Sequence, residues 1–181
     1  MSRDIHGSAA PATSRGSVRE AGGFTLVELL MVIALIGILA ALSAPFLIAA
    51  KASSNEASAI GTLRALNSAQ SQYSSTCAAG YYSTSLVGLV ALQYISPDAA
   101  INPKSGYNFA LGPGAGAVPG PVDCGGAQSQ STYYATALPV GRPTTGTRGF
   151  ATNAAATIWQ DRSGVAPTEP FATAGTVSPI Q

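Results

Sequence analysis

The run GFTLVELLMVIALIGILAALSAPFLIAA, from Gly23 to Ala50, constrains this chain more than any other stretch. From Phe24 to Ala50 every residue is apolar or small except one carboxylate, Glu28. A helix over it is roughly 40 Å long at 1.5 Å per residue, enough to cross a hydrocarbon layer of ~30 Å. A helix packed on a soluble core keeps a polar face, and this run has none. Such a helix suits lipid, and it suits a bundle of like helices equally well.

Three positions separate the run from a plain anchor. Gly22-Gly23 marks the border between polar and apolar sequence, Glu28 lies just inside it, and Pro45 lies near its end. A carboxylate in a membrane segment ordinarily has a partner. No Lys or Arg occurs between Phe24 and Ala50. Cutting the chain after Gly23 would create a partner, the α-amine of Phe24. Within one helix that amine is about a turn from Glu28. Between staggered helices, Glu28 of one subunit meets the amine of the next, which sets an axial register. The bland alternative is a charge tolerated near a membrane edge.

Gly23-Phe24-Thr25-Leu26-Val27-Glu28, followed by the long apolar helix, resembles the N-terminal signature of type IV pilins and of type II secretion pseudopilins. Gly37 and Pro45 fall where that family commonly carries a glycine and a helix-bending proline. The resemblance implies cleavage after Gly23 by a prepilin peptidase, methylation of Phe24, and polymerisation with copies of itself and related pilins on an inner-membrane assembly platform. Gly22, Gly23 and Phe24 are then the processing site, and Phe24, Glu28, Gly37 and Pro45 the assembly residues. Gly37 and Ala41, four apart, offer a small-residue face for close helix approach.

Residues 1–23 read as a polar leader. Arg3, Arg15 and Arg19 precede the apolar run and only Lys51 follows it closely, so the leader is expected in the cytoplasm and the remainder outside. A secretory signal peptide cut near Ala41-Leu42-Ser43 is the competing reading, against which stand the length of the run and the carboxylate of Glu28 within what would be its apolar region. His6 is the sole histidine. Removal of the leader would leave no imidazole for Ser-His-Asp or Cys-His chemistry or for a histidine metal site.

From Lys51 the helix is expected to continue in water to residue 76. Ala59, Ile60, Leu63, Leu66, Ala69 and Tyr73 recur at three- and four-residue spacings, a stripe for a domain core. Asn55, Glu56, Arg64, Asn67, Ser68 and Gln72 are expected on the remaining surface. Pro45 is expected to bend the helix rather than end it.

Residues 77–181 read as an outer domain. The only cysteines, Cys77 and Cys124, flank a loop-rich region; in an exported chain such a pair most often forms a disulfide. A metal pair lacks further ligands, and a redox pair would ordinarily be closer. Leu86, Leu89, Val90 and Leu92 suggest a short helix capped by Ser85. Strands are expected at Gly106–Leu111 and Ser131–Leu138, with a hairpin from Gly149–Thr152 to Ala156–Gln160. The Gly/Pro-rich segment from Gly112 to Pro121 reads as a loop without a phosphate-binding motif, and the C-terminal tail as irregular.

The fold expected is α+β: a long N-terminal helix whose outer half packs on a small antiparallel sheet. Only 9% of residues are charged and the net charge is +1, so no electrostatic footprint for nucleic acid exists. No catalytic motif appears, and the chain reads as non-enzymatic without a cofactor. The scattered Asp98, Asp123 and Asp161 could converge on calcium, as pseudopilins of the secretion type often do. A filament subunit is the leading reading, in a pilus ahead of a secretion pseudopilus. A membrane-tethered binding domain that never polymerises is the alternative.

Overall fold

The computed structural model describes residues 23–180. Residues 1–22 of the expected leader, with Gly22 and His6, lie outside the described residues. The chain divides after Ala41 into two units, and helix α1, Leu26–Thr76, is continuous through Pro45. Proline has no N–H to offer the preceding turn, so one intrahelical hydrogen bond is missing there while the helix persists.

In the first unit the large apolar side chains from Phe24 to Leu39 are all exposed, Phe24 by 89%. In the second unit α1 buries one stripe, Ala52, Glu56, Ala59, Leu63, Leu66, Gln70 and Tyr73, with Ala69 buried beside Gln70. The steps alternate between four and three residues, which keeps one side of a 3.6-residue helix facing the same way. Two members, Glu56 and Gln70, are polar. Glu56 was expected on the water-facing surface and is instead buried, with 6% of its surface exposed. Beyond Thr76 the chain unwinds through Ala78 N–H to the Tyr73 carbonyl (3.2 Å) and Gly80 N–H to the Ser74 carbonyl (2.8 Å). Gly80, at φ +96°, takes a left-handed conformation that a glycine adopts without steric cost.

A short helix α2, Leu86–Ala91, follows, and the Ser85 hydroxyl caps it by accepting from the Gly88 N–H at 3.1 Å. A 3₁₀ turn at Pro97–Ala100 leads into the sheet. The strands are β1 (Tyr107–Pro113), β2 (Pro119–Val122), β3 (Gln128–Gln130), β4 (Tyr133–Pro139), β5 (Gly149–Asn153), β6 (Trp159–Asp161) and β7 (Val177–Pro179). The main sheet is antiparallel in the order β1-β4-β5-β6-β7, and β2 and β3 form a separate hairpin.

Phe109 of β1 stands opposite Ala137 of β4, which stands opposite Phe150 of β5. All three are buried with Ala59, Leu63 and Leu66 of α1 in one core. The alanines at 135 and 137 keep the middle of the sheet low, which leaves room for the helix side chains. The arrangement is α+β and pilin-like.

Two expected loops carry strands. The segment ending at Pro121 contributes β2, and the tail contributes β7. Neither has the alternating apolar pattern that marks a strand, and both are edge elements, where proline is tolerated. β2 is tied by Ser131, whose hydroxyl accepts from the Val118 N–H at 2.9 Å. β7 is carried onto the sheet by the Ile180 N–H, which donates to the Ile158 carbonyl at 2.8 Å.

Candidate functional site

At the start of α1, Thr25 is the last non-helical residue, and its carbonyl accepts from the Leu29 N–H at 3.3 Å. Its hydroxyl accepts from the Glu28 N–H at 3.2 Å. In return Glu28 Oε2 accepts from the Thr25 N–H at 3.1 Å and from the Thr25 hydroxyl at 3.0 Å. This is a reciprocal capping box, which satisfies donors that a helix start otherwise leaves bare, and a carboxylate there also suits the positive end of the helix dipole. The Thr-x-x-Glu spacing announces it in the sequence. Both bonds use Oε2, and among the described residues Oε1 accepts none.

Gly23 and Phe24 immediately precede this cap, so a chain beginning at Phe24 would retain every atom of it. Gly37 lies within α1, with no other atom within 4 Å of where a side-chain carbon would stand. Among the described residues, α1 is the helix long and apolar enough to cross a membrane. An exposed apolar surface this large marks an interface with lipid or protein.

Residues 19–44 match the family model for the prokaryotic N-terminal methylation motif. The chain carries the type IV pilin and pseudopilin signature. No curated protein and no solved structure matches it. The signature covers the capping box, Gly37 and most of the apolar run, and it ends one residue before Pro45.

Beyond the signature, three polar clusters clamp α1 to the outer domain. The first centres on Glu56. Its Oε1 accepts from the Thr147 N–H (2.7 Å), the Thr147 hydroxyl (2.7 Å) and the Arg148 N–H (3.2 Å). Its Oε2 receives Arg148 Nε at 2.8 Å and Nη2 at 2.7 Å. Arg148 also donates to Gln160 Oε1 at 2.6 Å and lies 5.5 Å from the Phe150 ring centre. Burial pushes the Glu56 carboxyl up, and the Thr147 and Arg148 hydrogen bonds outweigh it, so its pKa lies below the usual value. The sequence signal for Glu56 is its place on the four-three stripe, between Ala52 and Ala59.

The second cluster joins the helix end to the loop after β2. The Tyr73 hydroxyl donates to Asp123 Oδ2 at 2.6 Å, and Asp123 Oδ1 accepts from the Gly125 and Ala127 N–H groups at 2.8 and 2.7 Å. Beside it the sulfurs of Cys77 and Cys124 are joined, with Cα atoms 5.1 Å apart. Burial raises the Asp123 carboxyl, and the Tyr73 and backbone donors more than offset it. In the third cluster Asn67 donates to the Ala156 carbonyl (2.9 Å) and accepts from the Tyr133 hydroxyl (2.9 Å). Among the described residues no buried side-chain polar atom lacks a hydrogen-bond partner.

Asp98, Asp123 and Asp161 do not converge. Asp98 pairs with Lys104 at 2.6 Å, Asp123 organises its own loop, and Asp161 accepts from the Ser163 N–H at 2.7 Å. Among the described residues no group of three or more His, Cys, Asp or Glu side chains gathers as a metal ion requires.

Proposed function

We propose that this chain is a structural subunit of a type IV pilus-like filament, cut after Gly23 and polymerised through α1. The observation that carries the reading is the methylation signature leading directly into a helix whose large apolar side chains from Leu26 to Ile48 are uncovered. In the membrane, lipid covers that surface. In the filament, neighbouring helices cover it, and assembly exchanges one apolar environment for another.

Glu28 serves both states. Its Oε2 closes the helix start within one subunit, while Oε1 accepts the methylated amine of Phe24 from the next. Gly37 permits close helix approach, and Pro45 relieves the helix where it leaves the apolar layer. A prepilin peptidase and methyltransferase act on Gly22, Gly23 and Phe24 while the leader is cytoplasmic and the outer domain lies beyond the inner membrane. The role is structural rather than enzymatic, with no cofactor.

A secretion pseudopilin carries the same N-terminal signature and is the second reading. Mass spectrometry of the N-terminus of the processed protein tests the common ground. A chain beginning at methylated Phe24 supports it, and one beginning at Met1, or after Ser43 or Ala44, overturns it. Electron microscopy of sheared surface fractions then separates a pilus from a periplasmic pseudopilus or a tether that never polymerises.

A further inference from the structure

The face of the main sheet turned away from α1 carries a cleft that none of the preceding chemistry uses. Tyr134, Asn153 and Trp159 lie on that face, since their register partners alternate with the buried Ala135, Phe150 and Thr152. The C-terminal segment crosses over them. Phe171 stacks on Trp159 with ring centres 5.5 Å apart and an interplanar angle of 24°, and it also meets Tyr134 at 6.2 Å. Glu169 reaches back to anchor the segment. Its Oε1 accepts from Asn153 Nδ2 and its Oε2 from the Ala115 N–H, each at 2.6 Å. Between these walls lies a cleft of about 420 Å³, rimmed by Thr132 and Thr157, within the ~300–1,000 Å³ of small-molecule sites.

We propose that this cleft binds one neutral pyranose unit of a glycan. The Trp159–Phe171 pair supplies a flat, rigid apolar surface suited to the C–H face of a sugar ring. Glu169 is held by a donor on each oxygen, and each oxygen keeps a second lone pair for a sugar hydroxyl. Such charge-assisted bonds are short and directional, so they read hydroxyl stereochemistry. The carboxylate is fixed before the ligand arrives, which spares the entropy of ordering it. A nucleic-acid base could stack on the same aromatic pair, but the lining has no Lys or Arg to receive phosphate and a carboxylate that repels it. An ammonium ligand would find one carboxylate already shared by two donors, and Trp159 and Phe171 stacked on each other rather than standing around a cation. The proposal is independent of filament assembly.

Trp159 is the only tryptophan in the chain, so its emission reports on this cleft alone. The full chain, in a polyoxyethylene detergent free of sugar headgroups, is titrated with methyl glycosides of glucose, galactose, mannose and N-acetylglucosamine, and with choline and single-stranded DNA as controls. The expected result is a saturable, millimolar change for some of these sugars and none for their epimers. Glu169→Gln and Thr157→Val should each weaken it about tenfold with near-UV circular dichroism unchanged. Thr157 is exposed and, among the described residues, its side chain enters no hydrogen bond of the framework, so that variant decides the matter if Glu169→Gln disturbs the tail. A strictly linear response to every sugar, saturation by choline or DNA instead, or unchanged affinity in Thr157→Val would overturn the proposal.

Discussion

Glu56 and Arg148 stand ninety-two residues apart in the chain and meet at 2.7 Å, joining the outer half of α1 to the start of β5. The carboxylate is almost wholly buried, whereas the guanidinium keeps about a third of its surface in water (7% and 34% exposed). Removing one partner therefore leaves the two survivors in unequal positions. Glu56→Ala lets Arg148 turn to solvent but strands the Thr147 and Arg148 N–H groups. Arg148→Met leaves a buried carboxylate. We expect a loss of about 3 kcal/mol for Arg148→Met and less for Glu56→Ala, measured by urea unfolding of the outer domain followed by near-UV circular dichroism. Equal stability in both variants would contradict the clamp.

The same clamp predicts a direction with pH. Glu56 and Asp123 both have folded pKa values below their ordinary ones, so folding favours their ionised forms. Their contribution is complete above the unfolded values of roughly 4 and is lost as pH falls through the lower folded values. Urea midpoints should be flat from neutral pH to about 5 and fall below about 4. In Glu56→Gln that fall should be shallower, since one of the linked carboxylates no longer titrates while Asp98, Asp123 and Asp161, also held below their ordinary values, still do.

The disulfide closes a loop with a sequence separation of 47 residues, and on the chain-entropy model it stabilises the domain by about 4 kcal/mol. Non-reducing peptide mapping of the native protein should recover Cys77 linked to Cys124. Cys77→Ser/Cys124→Ser should retain the Tyr73–Asp123 bond and unfold at markedly lower urea. Two free thiols in native protein would remove the staple from the account.

Tyr73→Phe tests the neighbouring bond alone. It removes one hydroxyl from a buried site and leaves Asp123 with its two backbone donors. A loss of about 1–2 kcal/mol is expected, because the partner left behind is charged. In the Asp123→Asn background the same substitution should cost less, and a double-mutant cycle measures the difference.

On the proposed filament role, Glu28→Ala should leave membrane insertion and the outer domain intact while filament yield in sheared surface fractions collapses. Glu28→Gln keeps an acceptor for the Thr25 N–H and so keeps part of the cap. It should insert normally and assemble poorly. Normal filament yield from the alanine variant at normal membrane level would reject the proposed role of Glu28.

The apolar run, the stripe through Leu63, Leu66 and Tyr73, the cap at Ser85 and strands β1, β4 and β5 were all legible in the sequence alone. Each is written locally, in hydrophobic period or turn chemistry, so a window of a few residues contains the whole signal. The Thr25–Glu28 box was equally local. Glu56 was not: a carboxylate on an apolar stripe reads as a surface residue until a partner ninety-two residues away supplies the donors that make burial tolerable. The strands at 119–122 and 177–179 and the scattering of Asp98, Asp123 and Asp161 have the same character. Edge strands gain their hydrogen bonds from whichever segment the fold lays beside them, and carboxylates converge or separate by topology, not by spacing. Local chemistry determined the helix and its cap; long-range pairing decided what holds that helix to the sheet.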